Sequence, residues 1–227
     1  AARTLTVFAA ASLRATFTEL GGSFERAHPG VTVAFSFAGS ADLASQVLEG
    51  APADVLAAAD GATMARVRDA GLTDGEPVPF AANVLQIATP PGDPAGITGL
   101  ADLARPGVDV VVCAPQVPCG AAARAVQRSS GVTLSPVSEE SSVTDVLAKV
   151  ASGEADAGLV YVTDVRAAGG AVSGVALPEA ADAVNTYPIA ALRDAADAEL
   201  ARAFTAHVTG PDGRAVLGAA GFGAPAP

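Results

Sequence analysis

Short runs of β-forming residues alternate with amphipathic helical stripes along most of this chain, and that alternation restricts the fold more than any other feature. Leu5 to Ala9 reads as a strand. Leu13, Phe17, Leu20 and Phe24 then recur at helical spacing, one apolar face of a helix that His28-Pro29-Gly30 stops. Val31 to Phe37 forms the next strand, and Ala41, Ala44, Val47 and Leu48 line a short helix ending near Gly50. A third strand over 54–59 and a third helix over 63–70 complete the first series. Such βα alternation predicts an α/β fold with open, mainly parallel sheets.

After Pro77 and Pro79 a second series begins. Strands are expected at 84–88, 108–113, 132–136 and 157–162, with helices at 99–104, 120–129 and 143–151 between them. An extended stretch over 184–192, interrupted by Pro188, suits an edge or crossing segment. Two helices close the chain, one through Leu200, Phe204 and Val208, the other over 211–220. Two topologies fit. One is a single continuous domain. The other has two α/β lobes joined by two crossing strands: residues 1–82 begin the first lobe, 83–191 form the second, and 192–227 return to the first.

Charge narrows the partners. The 227 residues carry 13 basic and 24 acidic side chains, a net −11, and Lys149 is the only lysine. Repulsion therefore disfavours nucleic acid and anionic lipid as partners of the surface as a whole. The mean hydropathy of +0.40 comes mostly from alanine, and no stretch approaches the length of a membrane span. Ala1-Ala2-Arg3 leads straight into the first strand, which fits a cytoplasmic chain or a processed exported one. Cys113 and Cys119 flank a proline-bracketed turn. They are either a disulfide, worth about 2 kcal/mol for so short a loop, or two buried small hydrophobes in a reduced protein.

Ligands of open α/β sheets bind at the carboxyl ends of strands. Four such junctions share one chemistry: Phe8-Ala9-Ala10-Ala11-Ser12, Phe37-Ala38-Gly39-Ser40, Val117-Pro118-Cys119-Gly120, and Glu139-Glu140-Ser141-Ser142-Val143. Small residues let a backbone approach closely, and Ser12, Ser40 and Ser142 stand where N-caps are expected, with Asp145 spaced to complete a capping box with Ser142. Each helix start exposes amide protons without intrahelical partners and a positive dipole end. Converging starts would hold a small oxyanion with neutral donors, each charge-assisted bond contributing about 1.5–3 kcal/mol. Tyr161, ending a buried strand, is either a core tyrosine or a further donor, and Tyr187 reads as part of the crossing segment. Asp54 reads as a structural cap at a strand start, and Glu139 with Glu140 as favourable charge before a helix.

Catalysis finds little support. His28 and His207 are the only histidines, both at positions that read as surface structure. Ala38-Gly39-Ser40-Ala41-Asp42 is not a nucleophile elbow, and no phosphate-binding loop, dinucleotide fingerprint or metal-ligand cluster occurs. The chain is expected to be a binding protein, not an enzyme, needing no cofactor and no direct metal ligand.

The junctions themselves resemble those of the periplasmic molybdate-binding proteins, the solute-binding components of ABC-type importers. The resemblance rests on Leu5-Thr6-Val7-Phe8-Ala9-Ala10-Ala11-Ser12-Leu13, Phe37-Ala38-Gly39-Ser40-Ala41-Asp42-Leu43, Gly50-Ala51-Pro52-Ala53-Asp54-Val55 and Val117-Pro118-Cys119-Gly120. It continues through the stretch from Gly153 to Asp164 and through Tyr187-Pro188-Ile189-Ala190. It implies a periplasmic-binding-protein-like fold of two lobes closing on molybdate or tungstate, and an exported monomer delivering the ion to a membrane permease. It assigns as ligand donors the hydroxyls of Ser12, Ser40 and Tyr161 and the backbone amides of Cys119 and Val143. This sequence departs from that pattern in two places: Cys119 stands where a small residue such as alanine is frequent, and Gly39 replaces one serine of a pair. Within binding proteins the runner-up is a receptor for sulfate, phosphate or another tetrahedral anion. An effector-sensing domain of a transcription regulator and a transferase or isomerase on the same scaffold are the readings from other classes.

Overall fold

The computed structural model describes residues 2–225. Its chain divides into two compact units, one made of the chain up to Ala82 and again from Thr186 onward, the other of Asn83–Asn185.

The first unit opens with β1 (Arg3–Ala10), which runs through one 3-10 turn at Ala11–Leu13 into α1 (Arg14–Ala27). There follow β2 (Val31–Ala38), α2 (Ser40–Leu48), β3 (Val55–Ala57), α3 (Gly61–Asp69) and β4 (Val78–Asn83), which carries the chain out of the unit. The second unit contains β5 (Leu85–Thr89), a 3-10 segment at Leu100–Ala104, β6 (Val110–Cys113), α4 (Pro118–Ser130) and β7 (Ser138–Glu140). It continues with α5 (Val143–Ala151), β8 (Ala157–Tyr161), α6 (Val162–Ala168) and β9 (Ser173–Val175). The chain returns along β10 (Asn185–Ala191) and ends with α7 (Ala198–Thr209) and α8 (Pro211–Ala220).

Each unit is built on one five-stranded sheet, ordered β2-β1-β3-β10-β4 in the first and β7-β6-β8-β5-β9 in the second. β1 pairs in parallel with β2 and β3, and β6 with β7 and β8. The strands next to the crossings break this pattern: β10 is antiparallel to β3, and β5 is antiparallel to β8 and β9. The sheets are therefore mixed.

Alternation along the strands sorts the first unit into two cores. Leu5, Val7 and Ala9 of β1 meet Phe17, Leu20 and Phe24 of α1 together with Phe204 and Val208 of α7. Phe8 of β1 and Leu56 of β3 face the other way, onto Leu43 and Val47 of α2 and Met64 and Val67 of α3. The helical stripe read from sequence is thus the buried face of α1.

Three expectations move. The second boundary lies between Asn185 and Thr186, not at 191/192, because β10 pairs with β3, Ile189 opposite Ala57, and its Tyr187 and Ile189 enter the first core. No strand forms over 132–136. Pro136 has no amide to give a ladder, and the Leu134 amide donates to the Gln127 side chain at 2.9 Å instead. Pairing begins only at Ser138, opposite Val111. The strand expected over 157–162 stops at Tyr161, where α6 starts without a connecting loop. Among the described residues no helix is long and apolar enough to cross a membrane.

Candidate functional site

In the first unit the register of β1 and β2 aligns two of the predicted positions. Ala10 lies opposite Ala38 at the carboxyl ends of the two parallel strands, Ser12 comes two residues after the first and Ser40 two after the second. Neither serine is an N-cap, as the sequence suggested. Ser12 sits inside the 3-10 turn, and Ser40 is the first residue of α2, whose cap is Gly39. Both hydroxyls find partners outside their own helices. Ser12 Oγ lies 2.8 Å from Tyr187 Oη, and the buried Ser40 Oγ accepts the Ala59 amide at 3.0 Å. With that acceptor position filled, the Ser40 proton has no acceptor among the described residues.

The second unit repeats the arrangement on three adjacent parallel strands, β7, β6 and β8. Cys113, ending β6, is paired with Glu140, ending β7. Beyond these ends come Cys119, second residue of α4, and Val143, first residue of α5, while Tyr161 ends β8 itself. The amides of Cys119 and Val143 belong to first turns and have no intrahelical acceptor. Cys113 and Cys119 form a disulfide, so the alternative of two reduced thiols falls. The sulfur of Cys119 is thereby directed back to β6.

Ser142 does cap α5, accepting the Asp145 amide at 3.2 Å. Its hydroxyl proton goes to the Asp145 carboxylate at 2.9 Å, so the Ser142 side chain is engaged within its own cap. The Glu140 side chain has its partner at the far end of α5. It lies in β7 and holds Lys149, in the last turn of α5, and this ion pair keeps the Glu140 carboxyl below the usual carboxylate range. The one lysine of the chain is thus already engaged.

Tyr161 is 1% exposed, and its Oη accepts the Asn185 side-chain amide at 2.8 Å. Its backbone amide donates to the Asp164 carboxylate at 2.9 Å. Burial pushes the Asp164 carboxyl up to about 7, against the opposing pull of that bond. Sequence reasoning named neither Asp164 nor Asn185 as a partner. The visible signal was polar residues inside or beside strands that are otherwise apolar, Asn185-Thr186-Tyr187 above all.

Asp54 is structural, as read from sequence: Oδ2 accepts the Thr6 amide at 2.7 Å and Oδ1 the Ala196 amide at 2.8 Å. The histidines are built into packing. His28 stacks on Phe24 and His207 Nε2 lies 2.7 Å from Ser23 Oγ. Among the described residues no group of three His, Cys, Asp or Glu side chains could hold a metal ion.

What each unit offers at its strand ends, then, is neutral N–H and O–H groups. A family model described as "Bacterial extracellular solute-binding protein" matches residues 5–223. The chain belongs to this family. Extracellular solute-binding proteins bind solutes and are not enzymes. One relative, the molybdate-binding protein ModA of Mycobacterium tuberculosis (strain H37Rv), is 51% identical over 224 residues, 99% of this chain and 86% of that protein. Among solved structures, the periplasmic molybdate-binding protein of Azotobacter vinelandii superposes with a TM-score of 0.85 at 24% identity, covering 98% of this chain and 100% of its own. The sulfate-binding protein SubI of M. tuberculosis gives a TM-score of 0.84 at 21% identity, over 97% of this chain and 86% of its own. The fold is therefore shared by a molybdate-binding and a sulfate-binding protein.

Proposed function

We propose that this solute-binding protein captures molybdate outside the cytoplasm and delivers it to the permease of an ABC-type importer, and that it accepts tungstate equally. The observation that carries the reading is the 51% identity, along 99% of the chain, to a protein named for molybdate binding. The proposed donors are the hydroxyls of Ser12 and Ser40 in the first unit, and the amides of Cys119 and Val143 with the hydroxyl of Tyr161 in the second.

The chemistry of this set agrees with that ligand. Molybdate and tungstate are fully ionised near neutrality and present only acceptors. Phosphate keeps a proton there, which a set of amides and of hydroxyls turned to donate would leave unpaired at a cost of about 1–3 kcal/mol. Sulfate has the same charge and the same acceptors, so its rejection rests on size: donors fixed on helix starts do not follow a shorter ion inward.

Titration calorimetry tests the reading. Molybdate and tungstate should each bind tightly at one site per chain, and sulfate should release no heat at the same concentrations. Heat from sulfate with none from molybdate would overturn the proposal.

A further inference from the structure

We infer that Asn185 is a positioning residue for two of the proposed oxyanion donors at once, the Tyr161 hydroxyl and the Cys119 amide, and that it tunes the site to anions that present only acceptors. The inference rests on the functional reading above and deepens it.

Asn185 is the first residue of β10, belongs to the second unit, and is 7% exposed. Its side-chain Nδ2 donates to Tyr161 Oη at 2.8 Å and to Pro118 O at 3.3 Å. The carbonyl of Pro118 can only accept, so the group facing it is the NH₂ end of the amide. The same NH₂ therefore also donates to the phenol. Tyr161 must act there as acceptor, and its single proton is turned to another side of the oxygen.

The second bond works through peptide geometry. Pro118 C=O and Cys119 N–H belong to one planar trans peptide, in which the oxygen and the amide hydrogen point in opposite directions. Holding the Pro118 oxygen against Asn185 thus fixes the direction of the Cys119 N–H. The Cys113–Cys119 disulfide ties the same residue to the end of β6. One buried carboxamide accordingly sets the aim of one hydroxyl and one amide that come from different strand ends.

The polarity of this device matters more than its presence. A carboxylate of the same shape would accept the phenolic proton and repel the Pro118 oxygen, reversing both directions. Asn185→Asp should therefore weaken molybdate binding tenfold or more. Asn185→Ala, which removes the bonds without adding charge, should weaken it severalfold and serves where the buried carboxylate prevents folding.

The test combines calorimetry with ¹³Cζ-tyrosine NMR. The chain has two tyrosines, so Tyr161→Phe assigns both signals. In ligand-free protein both Asn185 variants should shift the Tyr161 signal. In the Tyr161→Phe background the penalty of Asn185→Ala should shrink at least twofold, because half of what it acts through is gone. An unmoved Tyr161 signal, or molybdate affinity equal to the parent's in Asn185→Ala, would overturn the inference. A parent chain that binds no molybdate would instead strike the functional reading, and the NMR shift would still decide the role of Asn185.

Discussion

Gly120 offers the sharpest test of how packing supports the proposed site. It is the third residue of α4, directly after Cys119. A Cβ added there would lie 1.7 Å from Ala114 O, 2.4 Å from Ala114 C and 2.8 Å from Cys113 O. All three are backbone atoms, so no rotamer change relieves the overlap. Restoring ordinary contact of about 3.4 Å requires the start of α4 and the end of β6 to part by well over an ångström, in a close-packed interior that tolerates little. They are also tied by the disulfide, which spans 5.6 Å between Cα atoms.

The cost of overpacking is about 1–3 kcal/mol where side chains can yield, and with rigid backbone on both sides Gly120→Ala should reach at least the upper value. For a chain of this size, 3 kcal/mol corresponds to a fall of about 6–12 °C in melting temperature. The displaced first turn also misdirects the Cys119 amide. Losing one charge-assisted bond of about 1.5–3 kcal/mol weakens molybdate binding about tenfold or more. Gly213→Ala is the control. Its Cβ would lie 1.7 Å from Val208 O, an equal clash, but in the first turn of α8 in the first unit, on an element that carries none of the proposed donors. It should lower the melting temperature comparably and leave the dissociation constant unchanged. Scanning calorimetry and titration calorimetry on both variants read the two effects. If Gly120→Ala melts within a degree of the parent and binds as well, the close approach of strand end and helix start does not hold the amide in place.

Three further outcomes are expected. Asp164, protonated in the folded chain up to about pH 7 and ordinarily ionised above 3.8, makes the native state hold a proton that the unfolded state has released. Stability then falls as pH rises through that window, by up to about 4 kcal/mol. Urea unfolding should show Asp164→Asn gaining on the parent from pH 4 to pH 7 and level above, and parallel profiles would contradict this. Asp54→Asn replaces one of two acceptor oxygens by a donor facing an amide, and should cost about 1.5–3 kcal/mol in urea unfolding without altering molybdate selectivity. Replacing both Cys113 and Cys119 by serine should cost about 2 kcal/mol and weaken molybdate binding measurably; equal affinity would mean that the bridge does not hold the Cys119 amide.

Much of this fold was legible because its signals are local. The stripe Leu13, Phe17, Leu20, Phe24 has one helical solution, and the structure buries those four side chains. The stretch 132–136 misled because β-forming residues also suit an extended segment whose amides are met by a side chain, as Gln127 does for Leu134. α6 escaped notice because Tyr161 ends a strand and precedes a helix with no turn residue between. Of the proposed donors, the junctions were readable from small residues before helices, but the hydroxyl geometry was not. That Ser12 meets Tyr187, and Ser40 meets Ala59, depends on pairings 175 and 19 residues apart that no local pattern encodes.

Hydroxyl pairings of this kind also bear on how a chain with a net charge of −11 would serve the proposed dianion. A hydroxyl is both donor and acceptor, and left to itself it can turn its lone pairs toward an incoming oxyanion. In both units the frame fills a lone pair first: the Ala59 amide does so at Ser40, and the Asn185 amide at Tyr161. Each hydroxyl is thereby polarised toward donating before any ligand arrives, and the reorganisation that binding would otherwise require is already done in folding. Lysine or arginine at the same places would supply more charge but would hold sulfate, phosphate and molybdate alike. Neutral donors of fixed direction make the hydrogen-bond pattern and the size of the ion, not its charge, the quantities that are read.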